Sequence, residues 1–267
     1  MSEEAEGVYA VSLGTSDTIM AITSSPDPQV IGNVMVNPVD PTSYFAMLVY
    51  KNGALARQKV CDLHCNGNWE KFGHFLEQTE PGNNGQIGLY LSLPEITPEI
   101  NCVGDIRVDG TGTRVAAFPP AADVRAVVEG RFLSMRARMT TIGVPRPSLL
   151  VATGGASANI AILQVMADVF GVPVFSASIS DAAAVGAAYR AKHGWLCSIH
   201  SQVTEVNDKL PVPFSDVIGT FEERGISKVC EPLCSDDAYP EEFLERYAAL
   251  EEMMATTSSS TEQQNDR

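Results

Sequence analysis

No run in the 267-residue sequence approaches the roughly 18 apolar residues of a membrane-crossing helix, so no membrane role is expected. Positive charge is scarce: 18 Lys and Arg stand against 33 Asp and Glu, a formal charge of −15. That balance argues against nucleic acid, whose phosphates need a basic stripe, and against an anionic membrane surface. It leaves a small phosphate ligand open, because a few local backbone N–H groups bind one whatever the global charge. Also missing are G-x4-G-K-[ST] and a G-x-G-x-x-G placed after a strand, which removes the P-loop and Rossmann types of nucleotide site. The opening residues Met1–Gly7 are acidic, without the basic and apolar regions of a secretory signal, and a cytoplasmic chain is expected. Its six cysteines then read as thiols. Cys61-x3-Cys65, with His64 between, and Cys230-x3-Cys234 approach zinc spacings, but no paired-His motif accompanies them and no metal site is expected.

What is present is an ordinary core-forming composition, 45% hydrophobic. Residues 9–13 and 18–22 are short apolar runs around Gly14-Thr15-Ser16-Asp17, the pattern of a β-hairpin. A strand is expected over 44–50, closed by Asn52-Gly53, and a helix around Trp69, Phe72, Phe75 and Leu76. Ile87 to Leu93 reads as a strand. Asp123 is placed to cap a helix to about Met139, with Val124, Val127, Val128, Phe132 and Met135 on its apolar face. Arg125, Arg131, Arg136 and Arg138 on that helix read as a solvated face.

The clearest segment is 147–191, a β-α-β-α unit. A strand at 149–152 turns through Thr153-Gly154-Gly155-Ala156, with Ser157 as N-cap of a helix ending at Gly171. A strand at 172–175 follows, then an alanine-rich helix from Ser180-Asp181 to about Lys192. The pattern over 200–240 is weak, Glu242 to Met254 reads as a helix, and 255–267 as a disordered polar tail.

Two turns could hold phosphate. Gly154-Gly155, where a strand meets a helix, lets backbone approach an anion closely, and Gly14-Thr15-Ser16 offers hydroxyls and N–H groups. Spacing alone does not separate these roles from glycine turns that serve only the fold. Trp69 could equally stack on a base or fill the core.

Several blocks taken together are more specific: SLGTSDT at 12–18, NPVDP at 37–41, FAMLVYKNG at 45–53, EITPEI at 95–100 and ATGGAS at 152–157. In this order they resemble the FGGY family of carbohydrate kinases over about 8–195, and more thinly to about 254. The blocks at 37–53 and 69–100 are similar to its xylulose kinase branch. The resemblance implies an α/β chain of the ribonuclease H-like, actin-like ATPase fold. It further implies the second lobe of a two-lobe enzyme, with residues 1–7 an acidic extension. By resemblance, Gly154, Gly155 and Asn159 line the adenosine site, Trp69 lies near the nucleotide, and Thr15 belongs to the second phosphate loop. The implied reaction carries the γ-phosphoryl of ATP, with Mg2+, to the 5-hydroxyl of D-xylulose. The family's catalytic Asp and most sugar contacts belong to the other lobe, upstream of Met1, so no catalytic residue is expected in this chain. Two other expectations stay open: a non-catalytic nucleotide-binding or interaction module, and a kinase for another sugar of the same family.

Overall fold

The computed structural model describes residues 7–24, 31–177, 181–203, 212–234 and 238–265. Its centre is a seven-stranded mixed sheet. The first hairpin supplies β1 (Val8–Leu13) and β2 (Asp17–Thr23), with β3 (Asn33–Val36) and β4 (Tyr44–Tyr50) continuing the antiparallel side. On the other side of β1, β10 (Leu149–Thr153) and β11 (Val174–Ala177) run parallel to it, and β12 (Ile226–Cys230) closes the edge antiparallel. The order is β12-β11-β10-β1-β2-β4-β3. An antiparallel meander joined through its first strand to a parallel pair is the ribonuclease H-like arrangement of the actin-like ATPases.

The strands alternate because their side chains do. Tyr9, Val11 and Leu13 of β1, Ile19 and Ala21 of β2, and Ala46, Leu48 and Tyr50 of β4 are buried, while the residues between them are only half buried. Helices cover the fully buried face: α1 (Ala54–Cys65), α2 (Trp69–Glu77), α3 (Pro120–Thr141) and α4 (Ile160–Phe170). A three-stranded sheet of β5 (Ile87–Leu91), β8 (Gly104–Val108) and β9 (Arg114–Val115) sits against α3 through β5, and a small ribbon of β6 (Glu95–Ile96) and β7 (Glu99–Ile100) lies between β4 and the last helix. The remaining helices are α5 (Ala182–Val203), α6 (Ser215–Ile218) and α7 (Glu241–Asn265). Among the described residues no helix is long and apolar enough to cross a membrane.

The hairpin, β4, α2 and the 147–177 unit stand where periodicity puts them. Three local expectations fail. Ser157 does not cap α4: it lies in a 3-10 turn (Gly155–Ala158), and the cap is Asn159, whose Oδ1 accepts from the Ile162 N–H at 3.3 Å. Asp123 does not cap α3, which starts at Pro120 with Pro119 as N-cap, a proline fitting where no N–H is needed. Asp123 instead points inward. Its carboxylate is bidentate with Arg107 (2.6 and 2.9 Å), accepts from Tyr90 Oη, and meets His64 Nε2 at 2.8 Å.

The third failure is larger. The α3 arginines do not form a solvated face, because α3 is buried on nearly all sides. Arg125 pairs with Glu129 at 2.8 Å and caps the end of α2 through the carbonyls of Leu76 and Thr79. Arg138 meets Glu251 of α7 at 2.7 Å, Arg131 meets Glu95 at 3.3 Å, and Arg136 donates to the Val169 carbonyl at the end of α4 at 2.6 Å. Burial pushes the Glu129 and Glu251 carboxyls up, while their arginines pull the other way. The six cysteines are all thiols, and the Cys61 thiol is pushed up to about 11 by burial.

At the chain's ends the elements run further than their patterns suggest. The α5 helix continues to Val203, well past Lys192; Ser180, expected at its start, lies outside the described residues, as do residues 1–6. The α7 helix continues to Asn265, through the stretch that composition reads as a tail.

Two outcomes follow. Burial pushes Asp123 up, but hydrogen bonds from Arg107, Tyr90 and His64 outweigh it and hold the carboxyl below its usual range. The folded state therefore binds fewer protons than the unfolded chain near the carboxylate range. The stability from Asp123 is present above about pH 4 and is lost as pH falls through the lowered folded value. Urea unfolding from pH 6 to 3 should show a shallower loss for Asp123→Asn than for the wild type, and Asp123→Ala should cost about 3 kcal/mol at pH 7. Gly154→Ala should cost about 2 kcal/mol or more in thermal unfolding. Its φ is +88°, and a Cβ there would lie 2.7 Å from the carbonyl carbon and oxygen of Leu13. Gly155→Ala, with nothing within 4 Å of the added atom, should be nearly neutral.

Candidate functional site

The hairpin turn after β1 and the turn after β10 lie side by side because β1 and β10 are parallel neighbours, so both strands end at the same edge. Ligand crevices form at such strand ends. Here the opening is a cleft of about 1030 Å³, walled by Leu13, Gly14 and Thr15, by the start of α1, by one face of α2, and by Gly155, Ala156 and residues 158–162.

Thr15, Trp69, Gly155 and Asn159 all line this cleft, so the structure brings together four residues from three distant segments. Gly154 does not line it. This glycine is the close-approach point that seats the β10 turn on the Leu13 backbone, while Gly155 presents an open Cα to the cleft. Trp69 is 37% exposed at the rim, its ring 5.1 Å from that of Phe72, so it is neither a core residue nor wholly free. Asn159 ties the two helical walls together: besides capping α4, its Nδ2 donates to the Trp69 carbonyl at 3.2 Å.

The hairpin turn is also anchored. The Ala54 N–H donates to the Thr15 carbonyl at 3.2 Å, joining the turn to the first residue of α1. The N–H groups of Gly14, Thr15 and Ser16 donate to no other backbone group among the described residues. Just behind the turn, Asp17 is fully buried and bidentate to Arg57, at 2.6 and 2.8 Å. Gly53 has to be glycine there, since a Cβ would fall 2.6 Å from the Asp17 carboxyl carbon. Arg57 reaches the cleft wall, and its buried Nε has no hydrogen-bond partner. Behind Asp17 stands Arg131. Burial alone would favour its neutral form, but the Glu95 and Asp17 carboxylates overcome this and hold the cation.

Sequence reasoning missed Ala54, Arg57 and the α2 face made by Glu70, Gly73, His74 and Glu77. The α2 residues carry a readable signal: spacings of 3, 1 and 3 put them on one helical face, away from buried Phe72 and Leu76. Arg57 carries none, since its role depends on an ion pair to Asp17, 40 residues away in sequence.

The chain matches the model of the FGGY family of carbohydrate kinases, C-terminal domain, over residues 9–195. It is 44% identical over 203 residues to xylulose kinase 2 of Arabidopsis thaliana, covering 72% of this chain and 36% of that protein. To the xylulose kinase of Mus musculus it is 40% identical over 256 residues, covering 95% of this chain and 44% of that one. The chain thus spans less than half the length of these relatives. Among solved structures, xylulose kinase from Rhodospirillum rubrum superposes with a TM-score of 0.68 at 18% identity, over 95% of this chain and 48% of that one. That from Bifidobacterium adolescentis gives 0.67 at 20%, over 92% and 44%. These establish the fold, and the family match with the sequence relatives establishes descent: the chain belongs to the FGGY family of carbohydrate kinases, as its C-terminal lobe.

Proposed function

We propose that the cleft binds ATP, and that the whole enzyme transfers its γ-phosphoryl group to the 5-hydroxyl of D-xylulose. One observation carries the nucleotide part: two glycine turns, distant in sequence, meet at the ends of parallel strands on a cleft that also holds Trp69 and Asn159. The turn at Gly14–Ser16 supplies N–H groups and the Thr15 hydroxyl for phosphate oxygens. Gly155 leaves room for the nucleoside, with Trp69 at the rim and Asn159 bridging the walls. Phosphoryl transfer requires mostly positioning and charge stabilisation, which backbone donors held by a rigid sheet provide. The sugar identity rests on the relatives, which are xylulose kinases.

Among the described residues no group of three or more His, Cys, Asp or Glu could hold a metal, and Asp17 is committed to Arg57. In this reading Mg2+ enters as part of the MgATP substrate, where it offsets phosphate charge. No described acidic residue is assigned as the base that takes the hydroxyl proton; that group is proposed for the other lobe, with most of the sugar contacts.

Calorimetry on this chain should detect ATP and ADP binding, and Gly155→Trp should abolish it with little change in melting temperature. With Trp195→Phe as background, the remaining Trp69 should change its emission on adding ADP. Binding that survives Gly155→Trp, or an unresponsive Trp69, would place the nucleotide elsewhere. Coupled assay with D-xylulose should give no turnover from this chain alone; turnover would put a base within these residues. Sugar profiling of the two-lobe protein separates D-xylulose from other sugars, and ADP binding without turnover there favours a non-catalytic module.

A further inference from the structure

We infer that Glu95 is a positioning residue for the nucleotide cleft, acting through the turn between β4 and α1 and through Arg131, although it does not itself line the cleft. The inference rests on the nucleotide reading of that cleft.

The turn Lys51–Gly53 decides where α1 starts, and α1 gives the cleft Ala54 and Arg57. Glu95 holds the turn directly: Oε1 accepts from the Lys51 N–H at 2.7 Å, and Oε2 from the Asn52 N–H at 3.2 Å and Asn52 Nδ2 at 3.1 Å. The Asn52 amide fastens the same two segments again, accepting from the N–H groups of Ser92 (2.8 Å) and Leu93 (3.0 Å) and donating to the Leu93 carbonyl (2.9 Å).

A second route runs through charge. Arg131 Nη2 lies 3.3 Å from Glu95 Oε2 and 3.3 Å from the Asn52 carbonyl, while its Nε stands 3.7 Å from Asp17 Oδ2. Its guanidinium also lies over the Tyr50 ring, 4.4 Å from the centroid. Asp17 in turn grips Arg57. Four buried charges of alternating sign thus lead from Glu95 to the cleft wall. If Glu95 loses its charge, the nearest carboxylate left to Arg131 is Asp17, and the two arginines compete for it. Arg57 and the start of α1 then lose their fixed position.

Two other buried pairs on α3 involve no residue of the cleft, whereas Asp123 reaches the far end of α1 through His64. Glu251 takes Arg138 and Ser134, and Glu129 takes Arg125, Tyr239 and the Gly82 N–H, with no cleft residue among them. Because Arg125 also closes the end of α2, a cleft wall, Glu251 is the control of the same chemistry.

The test measures ADP affinity by calorimetry for the full chain carrying Glu95→Gln, Arg131→Met or Glu251→Gln, each well below its melting temperature. Glu95→Gln and Arg131→Met should weaken ADP by about tenfold, while Glu251→Gln, destabilised to a similar degree, changes it by less than about twofold. Hydrogen exchange without nucleotide should quicken at residues 54–57 in Glu95→Gln and not in Glu251→Gln. Wild-type affinity in Glu95→Gln, or equal weakening in Glu251→Gln, overturns the inference. Should Glu95→Gln fail to fold, Arg131→Met decides alone: wild-type affinity there breaks the route. A wild-type chain that binds no ADP sinks the nucleotide reading itself, whereas exchange at 54–57 reports on Glu95 independently.

Discussion

Every charge that α3 carries into the interior must be matched there, and apart from the Arg125–Glu129 pair within the helix the partners lie on other elements. Arg125 closes the end of α2, Arg131 reaches β6 and β2, Arg136 the end of α4, and Arg138 α7. Asp123, one turn into the helix, takes β5, β8 and α1 through Tyr90, Arg107 and His64. A buried charge without its partner costs several kcal/mol, so these contacts constrain the packing more sharply than apolar burial alone would. The same helix that fills the core therefore also fixes the relative positions of the elements around it. Both α1 and α2, two of the cleft's walls, are among them.

Within the cleft the two consecutive glycines have separate tasks. Gly154 takes a conformation that side chains rarely adopt and lies against the Leu13 backbone; Gly155 has open space before it. A family motif shows a pair, and only the fold separates the member that makes the turn from the member that leaves room. Asn159 is similarly divided between capping α4 and holding the Trp69 carbonyl, so the feature that fixes the wall also presents its amide to the cleft.

What could be read from the sequence was local. Alternation gave β1, β2 and β4, and the strand-turn-helix chemistry of 149–171 gave β10 and α4 to within a turn of helix. The family resemblance pointed to Thr15, Trp69, Gly154, Gly155 and Asn159; the structure gathers four of these in one cleft and leaves Gly154 out of its lining. What failed was long-range. An arginine on an amphipathic helix defaults to solvent, and nothing near Arg138 in sequence announces Glu251. Nothing near Arg57 announces Asp17 either. Asp123 has the composition of a cap and is spent on a partner from another sheet. Strand β12 was illegible for a related reason: half-exposed edge residues such as Ser227 and Lys228 leave little apolar pattern.

The parallel pairing of β1 with β10 also sets an order of events. The β1–β2–β4 meander is contained in the first fifty residues and can assemble from neighbours, but β1 finds its other partner only at 149–153. Contacts of such separation are slow to form because a long loop must close first. At ribosomal rates the missing strand follows on the order of ten seconds later. In that interval one edge of β1 is an unpaired strand edge. The turn at Gly14–Ser16 exists before the wall at 155–162 does, and the cleft has no second side until that wall arrives.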